Sequence, residues 1–288
     1  ALVDPFTDDV YCGATQIHPD WVLTAAHCVV DDFDSPPYDP FLPDVLVGTH
    51  RLDGSGDRIE TAAGFVLDSY SFPVDDLALL RLSRPSSAPS ARLAFEGMDQ
   101  LEAPGTPAVV TGWGGLSGDE DAQSFPVALQ EGDVPVIDDG TCAARLAEWG
   151  DALADPARQV CAGNGTAASE PEEADACRGD SGGPLWASGP DGARRQIGIV
   201  VGGPTCGYSP TYYTSVEAYI PVIESMIGFP LASFADIPGD AHEQSIERVT
   251  LNGLATGLGG GLFGPAQGVS RGQMATFLAR ALRLAPVA

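Results

Sequence analysis

The sequence predicts a mainly β protein, an antiparallel barrel or sandwich, with a small α-helical module at its C-terminal end. Three observations carry this. Short runs of strand-forming residues, each bounded by turn residues, recur along residues 1–229 with few helical stretches. The regular alternation of strand and helix that marks a parallel sheet is missing. From residue 230 onward the spacing of apolar residues and the charge balance both change.

Taken in order, residues 1–11 are acidic and lead into Cys12. Trp21-Val22-Leu23-Thr24 is a short strand of β-formers. Residues 31–44 are rich in Asp and Pro and read as a surface loop. Val45-Leu46-Val47-Gly48 is a strand, and residues 53–57 are a turn. That turn has the acids of a calcium loop but lacks the later bidentate glutamate. Residues 75–82 form a mostly buried strand with an aspartate at its entrance, and residues 109–114 a strand ending in Gly112-Trp113-Gly114. Val134-Pro135-Val136-Ile137 precedes Cys142. Leu146, Trp149 and Leu153 stand at helical spacing and predict a helix over 142–153. Residues 197–203 are a glycine-punctuated strand and 212–216 the last strand. Residues 216–227 then read as a closing helix despite Pro221.

The chain has 288 residues, 44% of them hydrophobic, enough for a sizeable core. No apolar run reaches the roughly 18–20 residues of a membrane span. All 14 basic residues are arginine, and the net charge is −26. The charge is uneven: residues 1–230 carry 36 acids and 10 arginines, whereas the remainder has four of each. So acidic a body repels nucleic acid. It favours solubility in salt or attraction of cationic substrates. Cys12, Cys28, Cys142, Cys161, Cys177 and Cys206 are even in number, widely spaced and free of C-x-x-C, which argues for disulfides over zinc. Disulfides imply an oxidising, extracytoplasmic compartment. With four histidines in all, a His-rich metal site is not expected, and no cofactor is implied.

The chemistry concentrates in Cys177-Arg178-Gly179-Asp180-Ser181-Gly182-Gly183-Pro184. Glycines on both sides of a serine allow a tight turn and close approach of a substrate carbonyl. N–H groups on such a turn can point together at a developing oxyanion. Upstream stand His27, beside Cys28, and Asp76, in Asp76-Leu77-Ala78-Leu79-Leu80. Asp75 is the neighbouring alternative acid. The serine turn also matches G-x-S-x-G, the elbow of α/β-hydrolases. Those enzymes run serine, acid, histidine, and the histidine after Ser181 is His242, in the neutral tail. Chain order and strand pattern both exclude them.

In the order His27, Asp76, Ser181, the segments Thr24-Ala25-Ala26-His27-Cys28, Asp76-Leu77-Ala78-Leu79-Leu80 and Gly179-Asp180-Ser181-Gly182-Gly183-Pro184 resemble the catalytic motifs of the trypsin/chymotrypsin family of serine proteases. The resemblance covers residues 12–229. It implies two packed six-stranded β-barrels with the active site between them, and disulfides Cys12–Cys28, Cys142–Cys161 and Cys177–Cys206. Ser181 would attack the scissile carbonyl, His27 would carry its proton, and Asp76 would hold the His27 tautomer. The N–H groups of Gly179 and Ser181 would form the oxyanion hole, worth roughly 10²–10³ in rate per donor. Asp175 would lie at the base of the primary specificity pocket and favour Arg or Lys, with Gly203 as a wall glycine.

The chain also departs from the family. Val201-Gly202-Gly203 stands where Ser-Trp-Gly is usual, and Thr211 replaces a glycine and adds bulk near Asp175. The Ile-Val-Gly-Gly-like terminus, whose amino group pairs in the family with the aspartate matching Asp180, is missing from the 11 residues before Cys12. The expectation is an N-terminally incomplete chain, with Asp180 lacking its structural partner.

After residue 229 the chain reads as a linker and one small module. Ser270-Arg271-Gly272-Gln273 has capping-box spacing. Met274, Phe277, Leu278, Ala281 and Leu282 then form one apolar stripe, read as core. Together with Phe234-Ala235-Asp236-Ile237-Pro238, this segment resembles one S-layer homology (SLH) repeat, a module that docks bacterial surface proteins onto cell-wall glycans. Arg271 would meet an anionic sugar group. The sequence reading is thus a secreted or surface-bound bacterial serine endopeptidase acting on protein or peptide substrates, possessing no membrane span and tethered to cell-wall glycan. The rival reading is a catalytically silent protease fold used for surface binding.

Overall fold

The structure, a computed structural model, describes residues 1–30, 36–95, 98–117, 124–163, 174–189, 192–228, 231, 242, 246, 249, 255 and 263–281. The segment 234–238, most of 245–249, the loop at 252–253 and Leu282 lie outside the described residues. The chain divides into two compact units, Ala1–Tyr219 and Ile220–Ala288.

The first unit is built from antiparallel strands, as the short β-forming runs bounded by turn residues predict. Its first half holds β1 (Leu2–Val3), β2 (Val10–Cys12), β3 (Thr15–His18), β4 (Trp21–Thr24), β5 (Asp44–Val47), β6 (Asp57–Val66) and β7 (Ala78–Leu82). They lie in the order β2-β1-β5-β6-β7-β4-β3. The end strands β2 and β3 are joined by Gly13 and Ala14 alone, so the row curls back toward itself. β4 is buried along its whole length because it lies between β7 and β3.

The second half is a closed barrel in the order β10-β13-β12-β11-β8-β9. Its strands are β8 (Pro107–Gly112), β9 (Gln130–Ile137), β10 (Gln159–Gly163), β11 (Pro184–Ser188), β12 (Arg194–Gly202) and β13 (Pro210–Ser215). Val110, Val134, Leu185, Ile197 and Tyr213 fill its interior. The arrangement is mainly β and consistent with a chymotrypsin-like double barrel. Among the described residues, however, only this half is a closed six-stranded barrel; the first half is a seven-stranded half-barrel sheet where a second six-stranded barrel was expected. Closure also removes strand edges that would otherwise template aggregation.

The helix expected over 142–153 is α1 at Asp139–Ala147. It starts earlier because the Asp138 carboxylate accepts from Thr141 N at 2.9 Å and caps it. It stops before Gly150, whose φ of 77° breaks the helix, so Leu153 reaches the Cys142–Leu146 cluster from irregular chain. The closing helix α2 (Val216–Ile227) forms as expected with Pro221 inside it.

In the second unit, α3 (Arg271–Ala281) carries the predicted capping box. Gln273 N donates to Ser270 Oγ at 3.2 Å and Ser270 N to Gln273 Oε1 at 2.9 Å. Among the described residues of the apolar stripe, Met274 and Leu278 are 47% and 54% exposed and so are not the core expected of them. The cluster described in this unit, Ile246 with Phe263, does not include them. Among the described residues no helix is long and apolar enough to cross a membrane.

Candidate active site

His27 sits in a 3₁₀ turn at Ala26–Cys28, directly after β4. Asp76 lies just before β7, the neighbour of β4, so sheet pairing alone brings the two residues together. Asp76 Oδ1 accepts the His27 backbone N–H at 2.9 Å, and Oδ2 lies 2.6 Å from His27 Nδ1. The acid is fully buried, while the imidazole keeps 18% of its surface open. Phe72 stands edge-on to the imidazole, ring centroids 5.7 Å apart. Of the two neighbouring acids, Asp76 therefore meets the histidine. Asp75 turns away, with φ of 55°, to Arg158 at 2.6 Å and to the Tyr219 hydroxyl.

Ser181 occupies the turn before β11. Gly179 and Gly182 have φ of 96° and 76°, a conformation that glycine adopts without strain. A Cβ at Gly182 would also come within 2.2 Å of Thr24 Oγ1. The serine turn thus presses onto the first half of the unit, where Gly13 N donates to Ser181 O at 2.7 Å. The backbone N–H groups of Gly179 and Ser181 meet no acceptor among the described residues. Among the described residues nothing competes with a ligand oxygen for these two donors.

Asp180 is buried beneath this turn, 7% exposed. Its carboxylate accepts from Gly114 N at 2.8 Å and Cys177 N at 2.9 Å. Burial raises its pKa, and the two N–H groups oppose that rise. The Gly-Trp-Gly turn and the serine loop itself thus supply backbone partners to Asp180, while the Ala1 amino group donates elsewhere, to Leu46 O at 3.0 Å. A Cβ at Gly112 or Gly114 would fall within 2.3 Å of the carboxylate oxygens, so glycine is required at both positions.

Two cavities flank the turn. One of about 390 Å³ is lined by Ser181, Cys177, Val200, Gly203 and Thr211. Gly203 shapes its wall, since a Cβ there would meet Pro210 O at 2.7 Å. The other, of about 470 Å³, is lined by Gly112, Gly114, Asp175, Asp180 and Tyr208 among others. Asp175 therefore borders the cavity away from Ser181. Its Oδ1 accepts from Thr211 Oγ1 at 2.9 Å and Ala176 N at 2.8 Å, and its Oδ2 from Gly207 N at 2.7 Å.

The disulfides are Cys12–Cys28, Cys142–Cys161 and Cys177–Cys206, with Cα separations of 6.3, 6.2 and 5.2 Å. They match the pairing that the resemblance implies. Cys12, His27 and Cys28 cluster closely enough to suggest a metal site, but both sulfurs are held in the disulfide and offer no thiolate. Arg271, at the start of α3, is exposed.

Sequence reasoning missed Thr214, whose Oγ1 donates to the Asp76 carbonyl at 2.9 Å. It also missed Arg158 and Phe72. No local pattern marks any of them, because each is defined by a distant partner brought close by strand pairing.

The chain matches the Trypsin family profile over residues 5–223. It is 32% identical to the hepatocyte growth factor activator serine protease of Homo sapiens over 239 residues, 78% of this chain and 34% of that protein. It is 32% identical to a trypsin of Sarcophaga bullata over 219 residues, 75% of this chain and 77% of that one. Against transmembrane protease serine 11C of Mus musculus it is 34% identical over 224 residues, 75% of this chain and 48% of the other. The chain thus spans about a third to three quarters of the length of these relatives.

Proposed function

The chain belongs to the trypsin family, and we propose that it is a serine endopeptidase using Ser181, His27 and Asp76. The observation that carries this is the double contact of Asp76 with His27, at the ring Nδ1 and the backbone N–H. An acceptor at Nδ1 fixes the tautomer that leaves Nε2 able to take a proton from a serine hydroxyl. Ser181 Oγ would attack the carbonyl carbon while His27 accepts its proton. The tetrahedral oxygen would then take hydrogen bonds from the Gly179 and Ser181 N–H groups. Collapse releases the amine, protonated by His27, and leaves an acyl-serine that water cleaves by the same route. Buried Asp180 would hold the turn in shape through Gly114 and Cys177. The test is hydrolysis of a chromogenic Arg ester together with labelling by a fluorophosphonate. Wild type is expected to do both and Ser181→Ala neither; a wild type that does neither would favour the silent surface-binding reading.

Cleavage after Arg or Lys is the reading we adopt for specificity, with Thr211 as intermediary. The Thr211 hydroxyl donates to Asp175 and keeps lone pairs for a cationic head group in the Ser181 cavity. The carboxylate behind it sets a negative field without direct contact.

The disulfides favour an extracytoplasmic site of action, secreted or surface-bound. Wall anchoring through the SLH-like segment rests on the capping box of α3 and on exposed Arg271. Binding of the full chain to purified cell walls, and its loss in Arg271→Ala, tests it; equal retention of both proteins would remove the role of Arg271.

A further inference from the structure

Beside the proposed catalytic acid stands a second buried carboxylate that the reaction does not use. Asp75 is 5% exposed and has φ of 55°. That left-handed conformation costs most residues energy, and Asp or Asn least. Its Oδ1 takes the Arg158 guanidinium at 2.6 Å and the Tyr219 hydroxyl. Next to Arg158, Gln159 Nε2 donates to Pro73 O at 3.0 Å. Gln159 Oε1 is itself held by the N–H groups of Ala154 and Asp155, at 3.1 and 3.0 Å. Thr214 Oγ1 reaches the Asp76 carbonyl at 2.9 Å. The loop carrying Asp76 comes from the first half of the unit, yet residues that enter or form the second barrel clasp it at Pro73, Asp75 and Asp76.

Adjacent buried carboxylates repel, and each also stabilises a nearby imidazolium. Arg158 carries the cationic charge that contacts Asp75. We propose that Arg158 is a positioning residue for the hydrolysis: by neutralising Asp75 it sets the charge felt by His27 and holds the turn that presents Asp76. This rests on the serine-endopeptidase reading above. The groups involved are Asp76 against the ring and, at the preceding residue, Asp75 with the Arg158 guanidinium and the hydroxyls of Tyr219 and Ser69 on its carboxylate. Asp155 is the second partner of Arg158 at 3.7 Å, and Tyr212, bonded to Asp151, lies within electrostatic reach of Asp76.

The geometry predicts charge effects of opposite sign. Losing the Arg158 cation leaves more negative charge near His27 and favours imidazolium. Losing the Asp75 anion leaves more positive charge and disfavours it. In full-length protein, the His27 imidazole is followed by NMR as pH is varied, beside pH profiles of kcat/KM. Arg158→Gln is expected to move the titration and the acid limb of the profile to higher pH, lowering kcat/KM on that limb by about threefold. Asp75→Asn, which suits the left-handed turn, is expected to move both to lower pH. The double variant should return toward wild type, and Arg158→Lys should stay near it. Titrations unmoved in both single variants, or moved in the same direction, would overturn the proposal. If the wild type hydrolyses nothing and takes up no fluorophosphonate, the endopeptidase reading fails; the imidazole titration then decides the charge coupling alone.

Discussion

The carboxylate of Asp76 grips His27 at two points, Nδ1 at 2.6 Å and the backbone N–H at 2.9 Å. A single long side chain could swing, but two contacts on one residue fix both the ring and the turn beneath it. Asp76→Asn would present an amide that can donate to Nδ1 and select the wrong tautomer. We expect kcat to fall by roughly 10⁴-fold with KM little changed, as tautomer loss does in the Ser-His-Asp arrangement generally. Steady-state kinetics with far-UV circular dichroism checks this; a loss under tenfold in a folded variant would show that Asp76 does not govern the tautomer.

Thr211 separates Asp175 from the cavity at Ser181, and its hydroxyl is the link between them. Thr211→Gly should open direct pairing between Asp175 and an arginine substrate. A charge-assisted hydrogen bond supports a gain of roughly 10- to 100-fold in kcat/KM for Arg over Ala substrates. Thr211→Val keeps the volume and removes the hydroxyl, so it should lower that ratio. Matched peptide substrates differing only in the residue before the scissile bond measure it, and an unchanged ratio in both variants would refute the relay.

Glu102 introduces a pH-dependent cost to folding. Burial, assisted by the nearby Glu217 charge and opposed by the Ser215 hydroxyl, pushes it from 4.5 up to about 7. The folded state therefore holds this proton more tightly than the unfolded chain. Its stabilising effect is complete below about 4.5 and is lost as pH rises to about 7. Glu102→Gln keeps an acceptor for Ser215 and removes the charge. The variant should gain up to about 3 kcal/mol at pH 8 and nothing near pH 4. Urea denaturation at the two pH values checks this, and an equal effect at both would point to packing instead of charge.

How much of this was legible depended on sequence distance. Trp21–Thr24 was readable as a strand because its β-formers are contiguous. His27, Asp76 and Ser181 stood out because each lies in a compact motif. The start of α1 was missed because periodicity was weighed from apolar residues, whereas Asp138, a polar cap, sets that end. Asp175 was found by its offset from Ser181, but the bonds that turn it toward Thr211 and Gly207 depend on how the β13 hairpin folds back. Arg158 lies 83 residues from Asp75 along the chain, and no local spacing can register such a pair.

The Cys142–Cys161 bridge ties α1 to β10, the strand whose first residue, Gln159, helps to clasp the Asp76 loop. It closes a separation of 19 residues, for which the chain-entropy account gives about 3 kcal/mol. Both sulfurs are buried, so replacing the pair by alanines removes packing as well as the cross-link. Cys142→Ala/Cys161→Ala should therefore lose at least that much stability in non-reducing urea titrations. The Cys12–Cys28 bridge beside His27 is untouched, so activity at 25 °C should remain within about twofold. A double variant as stable as wild type would mean that α1 and the Leu146 cluster hold this region without the bridge.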